Sequence, residues 1–331
     1  MLLTKKNDAI DYLKAFAAIF VVLHHAIVYL DLNRTSILWQ AVLNIIMYTH
    51  VPLFFTVAGY LCYKQHFGTY IRKKFLRLLV PFFLFSALKI FYSVFISNEF
   101  AHVGSIGTQI FDAVVLGKLY WFPYAMFLSY CLAVIFWKPK KETASKAQNL
   151  LLLGSLVGLI LLNISFYLPE VPFLLWFQAG VTLQHFVFFL AGMFIRQNQQ
   201  KLAPALTKYP WLILCLCLCL ILLASCLLLR DGWHYSYFAT VLLSCGTLPI
   251  MLMICRKLPQ NIRPLKLAAK YSLQIMFFDS FFKVILFALL QRFVAMDIAL
   301  VLLTSACNLV LTVVCCLIIE KIPYLRVLFG L

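Results

Sequence analysis

Five side chains that can carry charge or a proton stand inside long apolar runs of this chain: His25, Lys89, His185, Asp279 and Lys283. At the centre of a bilayer such a group costs about 2.5–3.5 kcal/mol, so each needs a partner or a task. His25 is the most informative. It closes a stretch that opens Asp11-Tyr12-Leu13-Lys14 and ends Val21-Val22-Leu23-His24-His25. At about 100° per residue, the step from Lys14 to His25 falls within about 20° of three full helical turns. Asp11 lies about 40° to the other side, so Asp11, Lys14 and His25 share one helical stripe, whereas His24 points about 100° away. Lys14 and His25 are then about 16 Å apart along the axis. A neutral imidazole at that depth could act as a general base or as a covalent relay. The plainer alternative is that Lys14 snorkels to the interface and His25 hydrogen-bonds a neighbouring helix.

Two further constellations stand out. Arg72-Lys73-Lys74-Phe75-Leu76-Arg77 precedes Pro81. In a helix, Lys73, Lys74 and Arg77 crowd one side and repel, a strain that an anion such as a phosphate or a lipid head group would relieve. A plain cytoplasmic anchor explains the same residues without a ligand. The third is Tyr271-Ser272-Leu273-Gln274-Ile275 leading to Asp279. Asp279 sits about 18 Å into its apolar run, close to the depth of His25. It has two readings: an ion pair with Lys283 one turn on, or a place in a site. For His185 and Lys89 an interhelical hydrogen bond or ion pair suffices. His24, His50, His66, His102 and His234 acquire no role.

The elements that hold these residues follow from composition. Of 331 residues 64% are apolar and 12% charged, with mean hydropathy +0.96. A soluble domain carries about twice that charged fraction, so the expected fold is all-α: a polytopic bundle of transmembrane helices in a single domain, 1–331. At roughly 20 residues per crossing there is room for about ten spans. They fall at roughly 10–30, 37–63, 78–97, 119–137, 150–168, 173–195, 210–229, 235–255, 267–290 and 298–319. The stretch 37–63 is long enough to tilt or break at Pro52. The net charge of +17 has a topological reading rather than a nucleic-acid one. With the N-terminus cytoplasmic, inner segments hold 22 of the 28 Lys and Arg and outer segments four. Both termini are therefore expected in the cytoplasm, in a multi-pass protein of the inner membrane.

Other classes fade. The eleven cysteines form no Cys-x-x-Cys pair and sit mostly in apolar runs, so no metal is expected. Lys14, His24 and His25 interrupt the first apolar stretch, which argues against a cleavable signal. No soluble domain and no inverted repeat of broken helices is visible.

At these residues the chain resembles the membrane-bound acyltransferase-3 family, whose members O-acetylate surface glycans and related acceptors. The family's opening stretch and its His eleven residues beyond a basic position are matched by Asp11-Tyr12-Leu13-Lys14 and His25. Its second-span signature is matched by Val51-Pro52-Leu53-Phe54-Phe55 with Gly59-Tyr60-Leu61, and its spaced basic pair by Lys74 and Arg77 ahead of Pro81. Weaker matches follow in family order at Leu119-Tyr120-Trp121-Phe122, at Phe186, Phe189 and Gly192, and at Tyr271-Ser272 through Asp279. Lys14 and Lys74 stand where Arg is usual, Ala58 where Ser is usual, and Asp279 where many relatives carry His.

The resemblance implies an acyl-CoA donor, commonly acetyl-CoA, held from the cytoplasmic side by Lys14, Arg72, Lys73, Lys74 and Arg77. It implies catalytic duties for His25, Asp11 and Asp279, and a substrate pocket at Trp121, Tyr271 and Ser272. The acceptor would be a hydroxyl of a cell-envelope glycan or a lipid-linked sugar. Partners are then that acceptor and the bilayer, with no nucleic acid; the resemblance sets no oligomeric state. The competing reading is a ten-span transporter or flippase with a coupling site at the midplane charges.

Overall fold

A Pro inside a membrane helix removes one backbone donor, and the fold must satisfy the orphaned carbonyl elsewhere. The computed structural model of the chain, which describes residues 8–34, 36–62, 67–95, 105–136, 146–230, 236–294 and 297–331, does so at Pro52. Helix α2 (Ile37–Leu61) continues unbroken through Pro52. The Tyr48 carbonyl, four residues back, meets the Ser244 hydroxyl at 3.0 Å, and Ser244 shares its hydrogen with Thr240 O at 2.7 Å. His66, His102 and His234 lie outside the described residues, as do Lys5, Lys6, Lys64, Lys138, Lys140 and Lys141, six of the 22 cations counted on inner segments.

The described residues form thirteen helices and no strand. After α1 (Asp8–Tyr29) and α2 come α3 (Phe67–Phe95), α4 (Ile106–Val114), α5 (Trp121–Leu132), α6 (Lys146–Ser165) and α7 (Ala179–Lys208). Then follow α8 (Pro210–Arg230), α9 (Tyr237–Lys257), α10 (Arg263–Lys270), α11 (Ser272–Leu290), α12 (Asp297–Ile319) and α13 (Pro323–Leu328). Nine helices among the described residues are long and apolar enough to cross a bilayer. The expected crossing at 119–137 is shorter: α5 runs into a 3-10 turn, giving an apolar Trp121–Phe136. The expected span 267–290 is divided at Tyr271 into α10 and α11. The third helix begins well before 78 and carries the whole basic stretch Arg72–Arg77 as helix. The protein is an all-α, multi-pass membrane bundle.

Two compact units are distinguished, one from the described residues of 1–58 and 195–316, the other from those of 59–194 and 317–331. In the first, α1 is slender because Ala15, Ala17 and Ala18 are fully buried, so neighbouring backbones approach closely. Tyr12, also fully buried, donates its hydroxyl hydrogen to Pro259 O at 2.7 Å and accepts from Ile262 N–H at 2.9 Å. Asp8 caps the same turn by accepting from Asn261 N–H and pairing with Lys266, both at 2.8 Å. Further along α1, Tyr29 stacks on Phe287 at 4.9 Å. These contacts march in one direction, so α1 and α11 run parallel. An apolar cluster of Ala26, Ile27, Leu43, Ile46, Phe287, Leu300 and Val301 ties α1, α2, α11 and α12 together.

In the second unit, α3 and α5 pack antiparallel through aromatic rungs: Tyr70 with Tyr130, Phe75 with Phe127 and Phe82 with Tyr124. The C-terminal end covers α3, with Phe329 edge-on to Phe85 at 5.4 Å. Gly59 explains the signature that contains it. A Cβ there would lie 1.9 Å from the Phe189 carbonyl oxygen, so only glycine lets α2 and α7 touch at this point. Two segments that carry the family resemblance, one around Gly59 and one around Phe189, thus meet in space. Gly59→Ala should cost about 1–3 kcal/mol by forcing these backbones apart. A fall in the melting midpoint of detergent-solubilised protein checks this, and an unchanged midpoint refutes it.

Candidate active site

His25, on α1, and Asp279, on α11, are 254 positions apart in sequence and in direct contact in space. His25 Nδ1 lies 2.5 Å from Asp279 Oδ2. The parallel packing of α1 on α11 and the apolar cluster just beyond His25 fix that approach. Asp279 is buried, with 1% of its side chain exposed, whereas the His25 ring keeps 39% of its surface open. The second Asp279 oxygen, Oδ1, accepts from Asn308 Nδ2 at 2.6 Å. Asn308, on α12, is itself fully buried, and its carbonyl accepts from Thr312 Oγ1 at 3.4 Å. A carboxylate only accepts, so an ionised Asp279 would take its hydrogens from Asn308 Nδ2 and from a His25 ring that carries one on Nδ1. His25 Nε2 has no polar protein partner among the described residues.

Of the two readings of Asp279, the i, i+4 ion pair with Lys283 is not what forms. Lys283 Nζ instead lies 5.5 Å from the centroid of the Tyr29 ring. Asp11 and Lys14 pair with each other at 2.8 Å, one turn apart at the start of α1. Asp11 is thus held about 21 Å along the helix from His25. Tyr271 is fully buried at the junction of α10 and α11, where its hydroxyl accepts from Lys270 Nζ at 3.2 Å, and Ser272 next to it opens α11. These residues all belong to the first unit.

The basic cluster and Trp121 belong to the second. Arg72, Lys73 and Arg77 are exposed on α3. Lys74 turns away from them: its Nζ donates to Tyr130 Oη at 3.0 Å and lies 4.1 Å and 5.1 Å from the Tyr130 and Tyr70 ring centroids. That cation–π cradle explains how a fourth positive charge is tolerated on one short stretch. Trp121 stacks on the His185 ring at 5.3 Å. Lys89 sits 5.1 Å from the centroid of the Tyr120 ring, so aromatic faces are among the partners of both groups.

Three residues beside the site carried no signal in the sequence. His24 packs at 5.3 Å from both the His25 and the His50 rings, and His50 Nδ1 donates to Ile46 O at 2.7 Å. Asn308 is the third. A buried amide in the apolar run Asp297–Ile319 is the one hint available before folding, and it does not name a partner. No group of three or more His, Cys, Asp or Glu that could hold a metal occurs among the described residues.

The fold is a multi-pass helical bundle with a carboxylate–imidazole pair between two of its helices. The family described as acyltransferase domain matches residues 7–321, nearly the whole chain. The chain belongs to that acyltransferase-3 family and is a membrane acyltransferase. No curated protein and no solved structure matches it significantly.

Proposed function

We propose that the protein moves an acyl group, most simply acetyl, from cytoplasmic acyl-CoA to a hydroxyl of a cell-envelope glycan or lipid-linked sugar in the inner membrane. The His25–Asp279 contact is the observation that carries this reading. With Nδ1 committed to the carboxylate, Nε2 takes the proton as the acceptor oxygen attacks the thioester carbonyl. The imidazolium so formed is balanced by Asp279. The carbon–sulfur bond then breaks, and the CoA sulfur leaves with the proton from Nε2. The products are the acyl ester and free CoA thiol. His25 acting as a covalent relay would instead release one equivalent of CoA per protein in a burst without acceptor.

The donor is read onto residues of matching charge and reach. Arg72, Lys73 and Arg77 expose three cations on one helix and suit the phosphates of CoA. Lys14, paired with Asp11, stands about 16 Å along α1 from His25, the scale of a pantetheine arm. Lys74, tied to Tyr70 and Tyr130, shapes this surface more than it grips a phosphate. Tyr271, Ser272 and Trp121 are assigned to substrate contacts. The excess of cations in alternate connecting segments supports cytoplasmic termini.

Purified protein in liposomes, given radiolabelled acetyl-CoA, should release CoA and pass label to an envelope-glycan acceptor. A transporter would do neither. Arg77→Ala should weaken acetyl-CoA binding about threefold to tenfold, the loss of one charge-assisted contact at an exposed site. Titration calorimetry on the solubilised protein measures it, and unchanged affinity removes Arg77 from the donor site.

A further inference from the structure

We propose that Asn308 is a positioning residue: acting through Asp279, it holds His25 as the Nδ1–H tautomer and so makes Nε2 the reacting nitrogen. The role of the reacting atom rests on the acyl-transfer reading above; the role of the tautomer does not.

The argument is one of donors and acceptors across three helices. Asp279 has two oxygens and 1% exposure, so water is not at hand to satisfy either. Oδ2 faces His25 at 2.5 Å and Oδ1 faces Asn308 at 2.6 Å. The Asn308 amide could present either its carbonyl or its amino group to Asp279. The carboxylate settles which: it only accepts, so the amino group faces Oδ1, and the carbonyl is left to accept from the Thr312 hydroxyl one turn further along α12. The carboxylate is then clamped from one side and can offer only an acceptor to His25 on the other. That selects the imidazole proton on Nδ1. Without the amide, Oδ1 would be a buried acceptor with no donor, and the carboxyl would turn toward another or take up a proton of its own. In either case the restraint on the ring is gone. The same logic explains why α12, a predominantly apolar membrane helix, accepts a fully buried asparagine.

A merely structural asparagine, gluing α12 to α11, would affect assembly and leave the ring alone. The test therefore reads the ring directly. Full-length protein in nanodiscs, labelled with nitrogen-15 histidine, should show His25 as a neutral Nδ1–H ring, assigned by loss of its signals in His25→Gln. In Asn308→Leu that signature should give way to the Nε2–H form or to a mixture. In the acetyl-CoA assay the same variant should lose about tenfold to a hundredfold in kcat with the KM for acetyl-CoA unchanged. Its loss should also vanish in an Asp279→Asn background, since the two act as one unit. An unchanged ring signature in Asn308→Leu overturns the inference, as does a loss that adds in full to that of Asp279→Asn. If the leucine variant does not assemble, Asn308→Ser, which also withdraws the amide from Oδ1, is read by the same spectrum. A shifted tautomer in a protein that releases no CoA would leave Asn308 in its place and reject acyl transfer.

Discussion

Replacing His25 with glutamine should lower acyl transfer about 10²–10⁴-fold while leaving the protein inserted and monodisperse. Glutamine is chosen alongside alanine for a physical reason. Alanine would leave one oxygen of a carboxylate with 1% exposure facing empty space, an expensive defect that could damage folding by itself. The glutamine amide can still donate to Asp279, so the packing of α1 on α11 survives, but it cannot accept a proton from an attacking hydroxyl. Loss of transfer in both variants, with normal gel-filtration profiles, isolates the proton acceptor. The measurement is CoA release and label transfer from radiolabelled acetyl-CoA. Transfer at the parental rate in well-assembled His25→Gln would sink the mechanism.

The second large effect is expected at Asp279. Asp279→Asn keeps shape and volume but puts a donor where the site needs an acceptor on both sides. One of its two neighbours, the His25 ring or the Asn308 amide, must then meet a donor head-on. The ring escapes by moving its proton to Nε2, the atom required to be free. The negative charge that would balance an imidazolium is lost as well. In a comparable carboxylate–imidazole pair such a change costs about 10⁴-fold in kcat. A loss of about 10²–10⁴-fold in kcat is expected here, with little change in the KM for the donor, since Asp279 is not assigned to the CoA phosphates. Steady-state kinetics with varied acetyl-CoA separate the two. A raised KM at unchanged kcat would move Asp279 from the proton path to substrate binding.

Both experiments depend on residues that became candidates at different stages. His25 declared itself in the sequence, because an imidazole in an apolar run is costly and because Asp11, Lys14 and His25 repeat with the helical period. The basic run Arg72–Arg77 was equally visible, though not that Lys74 would leave its neighbours for Tyr70 and Tyr130. Asp279 was visible as a cost but not as a partner. Helical periodicity offered Lys283, one turn away, as one of two readings, whereas packing delivered an imidazole from a helix near the other end of the chain. His24, His50 and Asn308 were silent, since each looks locally like an isolated polar residue in a membrane helix.

The sequence by itself determined that this is a helical membrane protein and where most of its crossings lie, because burying a backbone in lipid leaves few solutions and 64% apolar composition selects among them. It also carried the family, through short motifs whose order needs no coordinates. What only the tertiary structure decided is which polar groups meet. Hydropathy has no term for azimuth between helices, so the Nδ1-to-carboxylate contact, the amide behind it and the glycine that lets α2 reach the Phe189 carbonyl emerge only once helices distant in sequence have packed.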